Sequence, residues 1–129
     1  THHSNTTCSE DDQKALTEFK NGLIDYTNRL SSWTGQNCCK WDGVFCEEKT
    51  GNVVKIDLHN KNYLVDGEYE IPQRVLDNHT KTYLRGELSP SLVKLKHLSY
   101  LDLSHNYFSS IQIPPFFGLL KNLRKYWVC

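Results

Sequence analysis

Leu92-Val93-Lys94-Leu95-Lys96-His97-Leu98-Ser99-Tyr100-Leu101-Asp102-Leu103-Ser104-His105-Asn106-Tyr107-Phe108 is the stretch that decides the fold. Leu92, Leu95, Leu98 and Leu101 stand three apart; Leu103 follows by two, and Asn106 comes three later. An amphipathic helix would accept Leu92, Leu95 and Leu98. It does not accept Leu101-x-Leu103 followed by Asn106. The two-residue step puts Leu101 and Leu103 on one face of a short strand, and the asparagine suits the turn that closes it. A shift of 45 residues towards the N-terminus carries Leu98, Leu101 and Leu103 onto Val53, Ile56 and Leu58. A shift of 25 the other way carries them onto Leu123, Tyr126 and Val128. Three strand-like rungs therefore recur.

This is the pattern of a leucine-rich repeat, in which each unit buries its leucines only against its neighbours. The expected fold is an α/β leucine-rich-repeat solenoid: a helical, disulfide-bonded N-terminal cap, then two to three short parallel-strand repeats. Ten of the sixteen leucines fall between Leu84 and Leu123, which agrees with a local repeat. Asn60 to Tyr83 is polar, lacks a period and contains Pro72, so residues 60–83 read as a loop insertion. The expected division is 1–7 as a flexible N-terminus, 8–48 as the cap and 49–129 as repeats, with the third rung truncated at its end.

Before the rungs, Ser9 suits a helix N-cap, and Glu10, Asp11 and Asp12 put acid into the first turn. Ala15, Leu16, Phe19 and Leu23 recur at helical spacing as one apolar stripe, and Gly22 should fray its end. A short turn carrying Leu30 and Trp33 follows. Trp33, Trp41 and Phe45 surround three cysteines and Gly43. A small disulfide module fills a thin core with aromatics, so they read as core rather than as a ligand platform. The cap core is assigned to Leu16, Phe19, Leu23, Trp33 and Trp41, which would cover Val53, Ile56 and Leu58.

Four of five cysteines, Cys8, Cys38, Cys39 and Cys46, lie in the first 46 residues, as two disulfides would require. Adjacent Cys38 and Cys39 are poor partners for each other and poor zinc ligands. Two connectivities remain: Cys8–Cys38 with Cys39–Cys46, or Cys8–Cys39 with Cys38–Cys46. Either needs an oxidising compartment. Glycosylation sequons at Asn5 and Asn78 agree with secretion. Cys129 is left as a free thiol. The absence of Met or an apolar leader at the start suits either a mature form whose signal peptide has been removed or a chain prepared recombinantly without one.

Charge narrows the function. The chain has 129 residues, with fifteen basic and fifteen acidic side chains. That balance disfavours nucleic acid or an anionic membrane as partner. No apolar run is long enough for direct membrane insertion. Asp102, Ser104 and His105 imitate a triad, but they occupy variable positions around Leu-x-Leu and have no oxyanion loop beside them. No enzyme activity is expected. His59 and His105 lack a third ligand at suitable spacing, so neither a metal nor another cofactor is expected.

The sequence resembles the N-terminal region of plant extracellular leucine-rich-repeat receptor-like proteins. The resemblance is carried by Ala15-Leu16-x-x-Phe19-Lys20, Leu30-Ser31-Ser32-Trp33 and Cys38-Cys39-Lys40-Trp41-Asp42-Gly43-Val44-x-Cys46. It continues through Thr50-Gly51-Asn52-Val53-Val54-x-Ile56-Asp57-Leu58, Leu84 to Leu92, Leu98 to Asn106 and Ile113-Pro114. It implies a right-handed solenoid whose cap is closed by Cys8–Cys38 and Cys39–Cys46. It also implies an extracellular (apoplastic) or cell-surface setting, and binding rather than catalysis. A similar cap occurs in polygalacturonase inhibitors.

The residues flanking each buried pair should form the concave face: Lys55, Asp57 and His59, then Tyr100, Asp102 and Ser104, then Lys125, Trp127 and Cys129. Mixed charge and aromatics suit a protein or peptide ligand. The expected function is recognition in defence or developmental signalling, with a receptor kinase ectodomain as a candidate partner. The alternatives are a soluble polygalacturonase-inhibitor-like protein and a decoy or non-functional fragment. Self-association through an open third rung is a further expectation.

Overall fold

The computed structural model describes residues 6–61, 80–109 and 113–128. Helix α1 (Glu10–Asn21) opens the cap. Two-residue β1 (Leu23–Ile24), a 3-10 turn (Cys38–Lys40) and β2 (Val44–Cys46) complete it. The rungs supply β3 (Val53–Asp57), β5 (Tyr100–Asp102) and β6 (Lys125–Trp127), with β4 (Arg85–Gly86) between the first two. Each later rung enters through a 3-10 turn, Pro90–Lys94 and Pro115–Leu119.

One sheet runs β2-β3-β5-β6. The three rung strands are parallel, and the cap strand β2 joins β3 antiparallel. Ile56, Leu101 and Tyr126 stand in register, as do Asp57, Asp102 and Trp127. The 45- and 25-residue shifts therefore correspond to real pairings. On the other side, β1 pairs antiparallel with β4, and Tyr107 and Ser109 donate backbone N–H groups to Leu84 and Gly86.

A single apolar core runs from the cap through the rungs, including Leu16, Phe19, Trp33, Trp41, Ile56, Leu92 and Leu101. Trp33 stacks on Trp41 with ring centroids 5.3 Å apart. Each indole N–H has a carbonyl partner: Trp33 donates to Asp42 and Trp41 to Thr34. The cysteines are bonded Cys8–Cys38 and Cys39–Cys46.

Several local readings differ. The helix stops at Asn21, with Gly22 as its C-cap, so Leu23 leaves the helical stripe and pairs with Gly86 in β1. Leu23 still packs against the core, but from a strand. Gly22 ends the helix sharply because Glu87 closes on it, its N–H bonding the Gly22 carbonyl. Ser9 is at the N-cap, yet its side chain makes no capping bond. Asp12, buried at the helix start, accepts the Val53 N–H instead and ties α1 to the first rung. Phe45 is not core: the alternation of β2 buries Val44 and turns Phe45 out, 48% exposed. Asn60, read as the start of the loop, is buried and belongs to the first turn; its N–H donates to Ser104 and its side chain to Thr82. Tyr126 holds the place of Leu101 but remains 43% exposed, its ring edge-on to Phe117. Residues 62–79, the bulk of the expected insertion, lie outside the described residues, as do Asn5, Asn78 and Cys129.

Candidate functional site

The parallel register decides which side chains share the open face of the sheet. Ile56 and Leu101 point into the core, so their neighbours in sequence point outward. Lys55, Tyr100 and Lys125 form one row across the rungs; Asp57, Asp102 and Trp127 form the next. Phe45 extends the first row into the cap, opposite Lys55.

The aromatic and basic members touch. The Lys55 ammonium lies 4.9 Å from the Phe45 ring centre and 4.6 Å from that of Tyr100. Both are cation–π distances, and the two rings hold the lysine stem across β2, β3 and β5. Tyr100 meets Trp127 at 5.2 Å, tilted. A band of ring, ammonium, ring and ring therefore crosses all four strands, with its outer rings about half exposed.

Beside it lies a polar pocket of side chains. The Asp57 carboxylate accepts the His59 backbone N–H and meets the His59 ring at 2.5 Å. Asp102 accepts both the N–H and the hydroxyl of Ser104, at 3.0 and 2.6 Å. Partial desolvation raises the Tyr100 hydroxyl above its usual range, and the Asp102 and Asp57 carboxylates add to this. A cleft of about 520 Å³ opens next to it, lined by Gly43 and Phe45 from the cap and by Asp57 and His59 from the rung.

The structure thus brings Lys55, Asp57, His59, Tyr100, Asp102, Ser104 and Trp127 onto one surface. Lys125 is exposed at its margin. Two residues were missed. Phe45 was absorbed into the cap core, although alternation across Val44-Phe45-Cys46 was there to be read. Arg29 gave no signal, because its partners come from three separate parts of the chain. Its guanidinium donates to the carbonyls of Leu58, His59 and Thr82 and to the Asn106 side chain. Asn106 in turn donates to Leu58 and Leu103, as a turn-closing asparagine should.

The triad imitation dissolves in the geometry. Ser104 donates to Asp102, and His105 stands on an exposed turn with φ 60°. The metal reading changes in the other direction. Asp57, His59 and Asp102 bring three ligand atoms within 4.8 Å of one another. Spacing along the chain concealed this, since Asp102 arrives from the next rung.

Comparison with known proteins agrees with the fold. Residues 9–47 match the leucine rich repeat N-terminal domain. Over 92% of its length the chain is 43% identical to receptor-like protein EIX1 and 41% identical to receptor-like protein EIX2, both of Solanum lycopersicum. It spans 11% of each of these relatives. Among solved structures it is similar to the Arabidopsis receptor kinase HAESA in complex with the peptide hormone IDA and the co-receptor SERK1. That match has TM-score 0.65 and 28% identity, and covers 92% of this chain and 17% of that one. Residues 9–47 thus form a leucine-rich-repeat N-terminal cap, and the cap and first rungs together are similar to part of plant receptor-like proteins.

Proposed function

We propose that this chain, as the cap and opening rungs of a plant receptor-like module, is a non-enzymatic recognition surface working outside the cell. The two disulfides support the oxidising setting. The observation that carries the reading is the band of Phe45, Lys55, Tyr100 and Trp127 on the open face of the sheet. Exposed aromatics joined by a cation form the kind of rigid, half-apolar platform on which protein ligands anchor. The adjoining Asp57 and Asp102 add polar specificity.

Three rungs are narrow beside the roughly 800 Å² per partner of a standard interface. The surface therefore works as one part of a larger contact, with a protein or peptide ligand and a receptor kinase ectodomain as partners. The HAESA complex, which holds both a peptide and a co-receptor, supplies the pattern. The test is binding of immobilised chain to a co-receptor ectodomain such as SERK1, alone and with candidate peptides. Tyr100→Ala with Trp127→Ala should reduce binding at least tenfold while leaving the melting temperature nearly unchanged. Equal binding by wild type and the double variant would reject the assignment of this face. A polygalacturonase-inhibitor role has no observation of its own in its favour.

A further inference from the structure

We propose that Asp57, His59 and Asp102 form a zinc site that bridges the first two rungs on the concave face. Asp57 and Asp102 are register partners on adjacent parallel strands, and His59, two residues after Asp57, meets the Asp57 carboxylate through its ring. Their ligand atoms lie within 4.8 Å of one another. A tetrahedral ion with bonds of about 2.1 Å holds its ligands about 3.4 Å apart. Asp102 reaches that spacing by side-chain rotation, and the close Asp57–His59 pair opens to admit the ion.

The donor set selects the metal class. One imidazole nitrogen with two carboxylate oxygens suits zinc, whereas calcium and magnesium prefer shells made of oxygen alone. The carboxylates are also oriented as ligands usually are. Backbone N–H groups from His59 and Ser104 hold Asp57 and Asp102, and all of these bonds fall on Oδ1. Such outer contacts fix a ligand's direction without consuming its second oxygen.

Electrostatics favours a cation at the same point. Like charges directly opposite on neighbouring strands destabilise a sheet. Of the two lysines on the next row, Lys55 is engaged between Phe45 and Tyr100, and Lys125 stands one strand further from Asp57, on β6. A divalent ion offsets the Asp57–Asp102 repulsion where it arises. Three protein ligands leave a fourth position to water or to a donor from a partner, on the face open to solvent.

The inference stands apart from the recognition reading, because metal binding and partner binding are measured separately. The experiment is calorimetric titration of the oxidised full chain with zinc chloride, without reductant. A background carrying His2→Ala, His3→Ala, His79→Ala and Cys129→Ser removes the competing histidine and cysteine donors outside the described residues. One zinc per chain is expected in that background, with a melting temperature that rises as zinc is added. His59→Gln and Asp102→Asn should each weaken binding at least tenfold, and the rise should vanish in both. Circular dichroism confirms that each variant is folded; should either fail this check, the other carries the comparison, with Asp57→Asn as its partner. No binding in the background, or binding unchanged by these substitutions, would overturn the site.

Discussion

Arg29 carries one charge to a point where oxygens from the first rung, the second rung and the segment before β4 converge. Burial lowers its pKa from the ordinary value, opposed by Asp25, yet a guanidinium still remains charged at any working pH. Its forked donors satisfy several acceptors at once; lysine has no such fork. Arg29→Ala should therefore cost about 3 kcal/mol in urea unfolding, because Asn106 and the half-buried carbonyls lose a donor. Arg29→Lys should recover only part of that. A loss below roughly 1 kcal/mol for the alanine variant would show that water replaces the guanidinium. Asp12 is the second residue whose chemistry is set by position. Burial raises its pKa above the ordinary value, against the lowering effects of the Val53 N–H and His97. A raised folded pKa means that ionisation is disfavoured by folding. The stabilising contribution of this group is complete below the ordinary carboxylate range and is lost as pH rises through the raised value. Asp12→Asn removes that dependence, so the melting temperature of the variant minus that of wild type should grow from pH 3 to pH 6. A flat difference would refute the linkage.

At the scale of elements, the join between cap and rungs depends on backbone approach that only glycine permits. Gly43 has φ +83°, and a Cβ there would lie 2.3 Å from the Asp57 carbonyl oxygen. Gly35 has the same φ of +83° but open space around it. The pair separates conformational strain from collision. Gly35→Ala should cost about 1 kcal/mol, from the left-handed backbone alone. Gly43→Ala should cost at least twice that in denaturant unfolding, because β2 must also move away from β3. Equal losses would mean that the β2–β3 contact yields freely. These elements also show what the sequence discloses. The rungs were legible because one period governs Val53, Ile56 and Leu58 as well as Leu98, Leu101 and Leu103, and stacking obeys that period. Leu23 was misread because spacing records which side chains share a face, not where a carbonyl such as that of Gly22 is taken up by Glu87. Phe45 was misread because aromatic composition near cysteines suggested a core, while a three-residue strand decides sides by alternation. Asp102 could not be joined to His59 until the register between rungs was known. That part of the site belongs to tertiary pairing and has no local signature.

For the whole molecule, the question is whether the cap and the rungs unfold separately or together. The core is continuous: Phe19 meets Trp33, Asp12 holds Val53, and Ser91 of the second rung donates to the Ala15 carbonyl in α1. Each rung buries its leucines only against its neighbours, so the cap supplies the burial that the first rung lacks on its N-terminal side. The disulfides act on the same balance by restraining the unfolded chain. Cys8–Cys38 spans 30 residues and Cys39–Cys46 spans 7. Loop-closure entropy then assigns them about 3.6 and about 2.4 kcal/mol. Replacing the first pair by serines should lower the melting temperature more than replacing the second. Because the core is shared, either loss should destabilise the rungs as well as the cap. In a Trp127→Phe background, tryptophan fluorescence reports only Trp33 and Trp41 in the cap, while far-ultraviolet dichroism reports the whole chain. The two melting curves should coincide in the parent and shift together in each disulfide variant, as one cooperative unit requires. A fluorescence transition displaced from the dichroism transition would show two units, and would move the source of stability from the joint core into the cap alone.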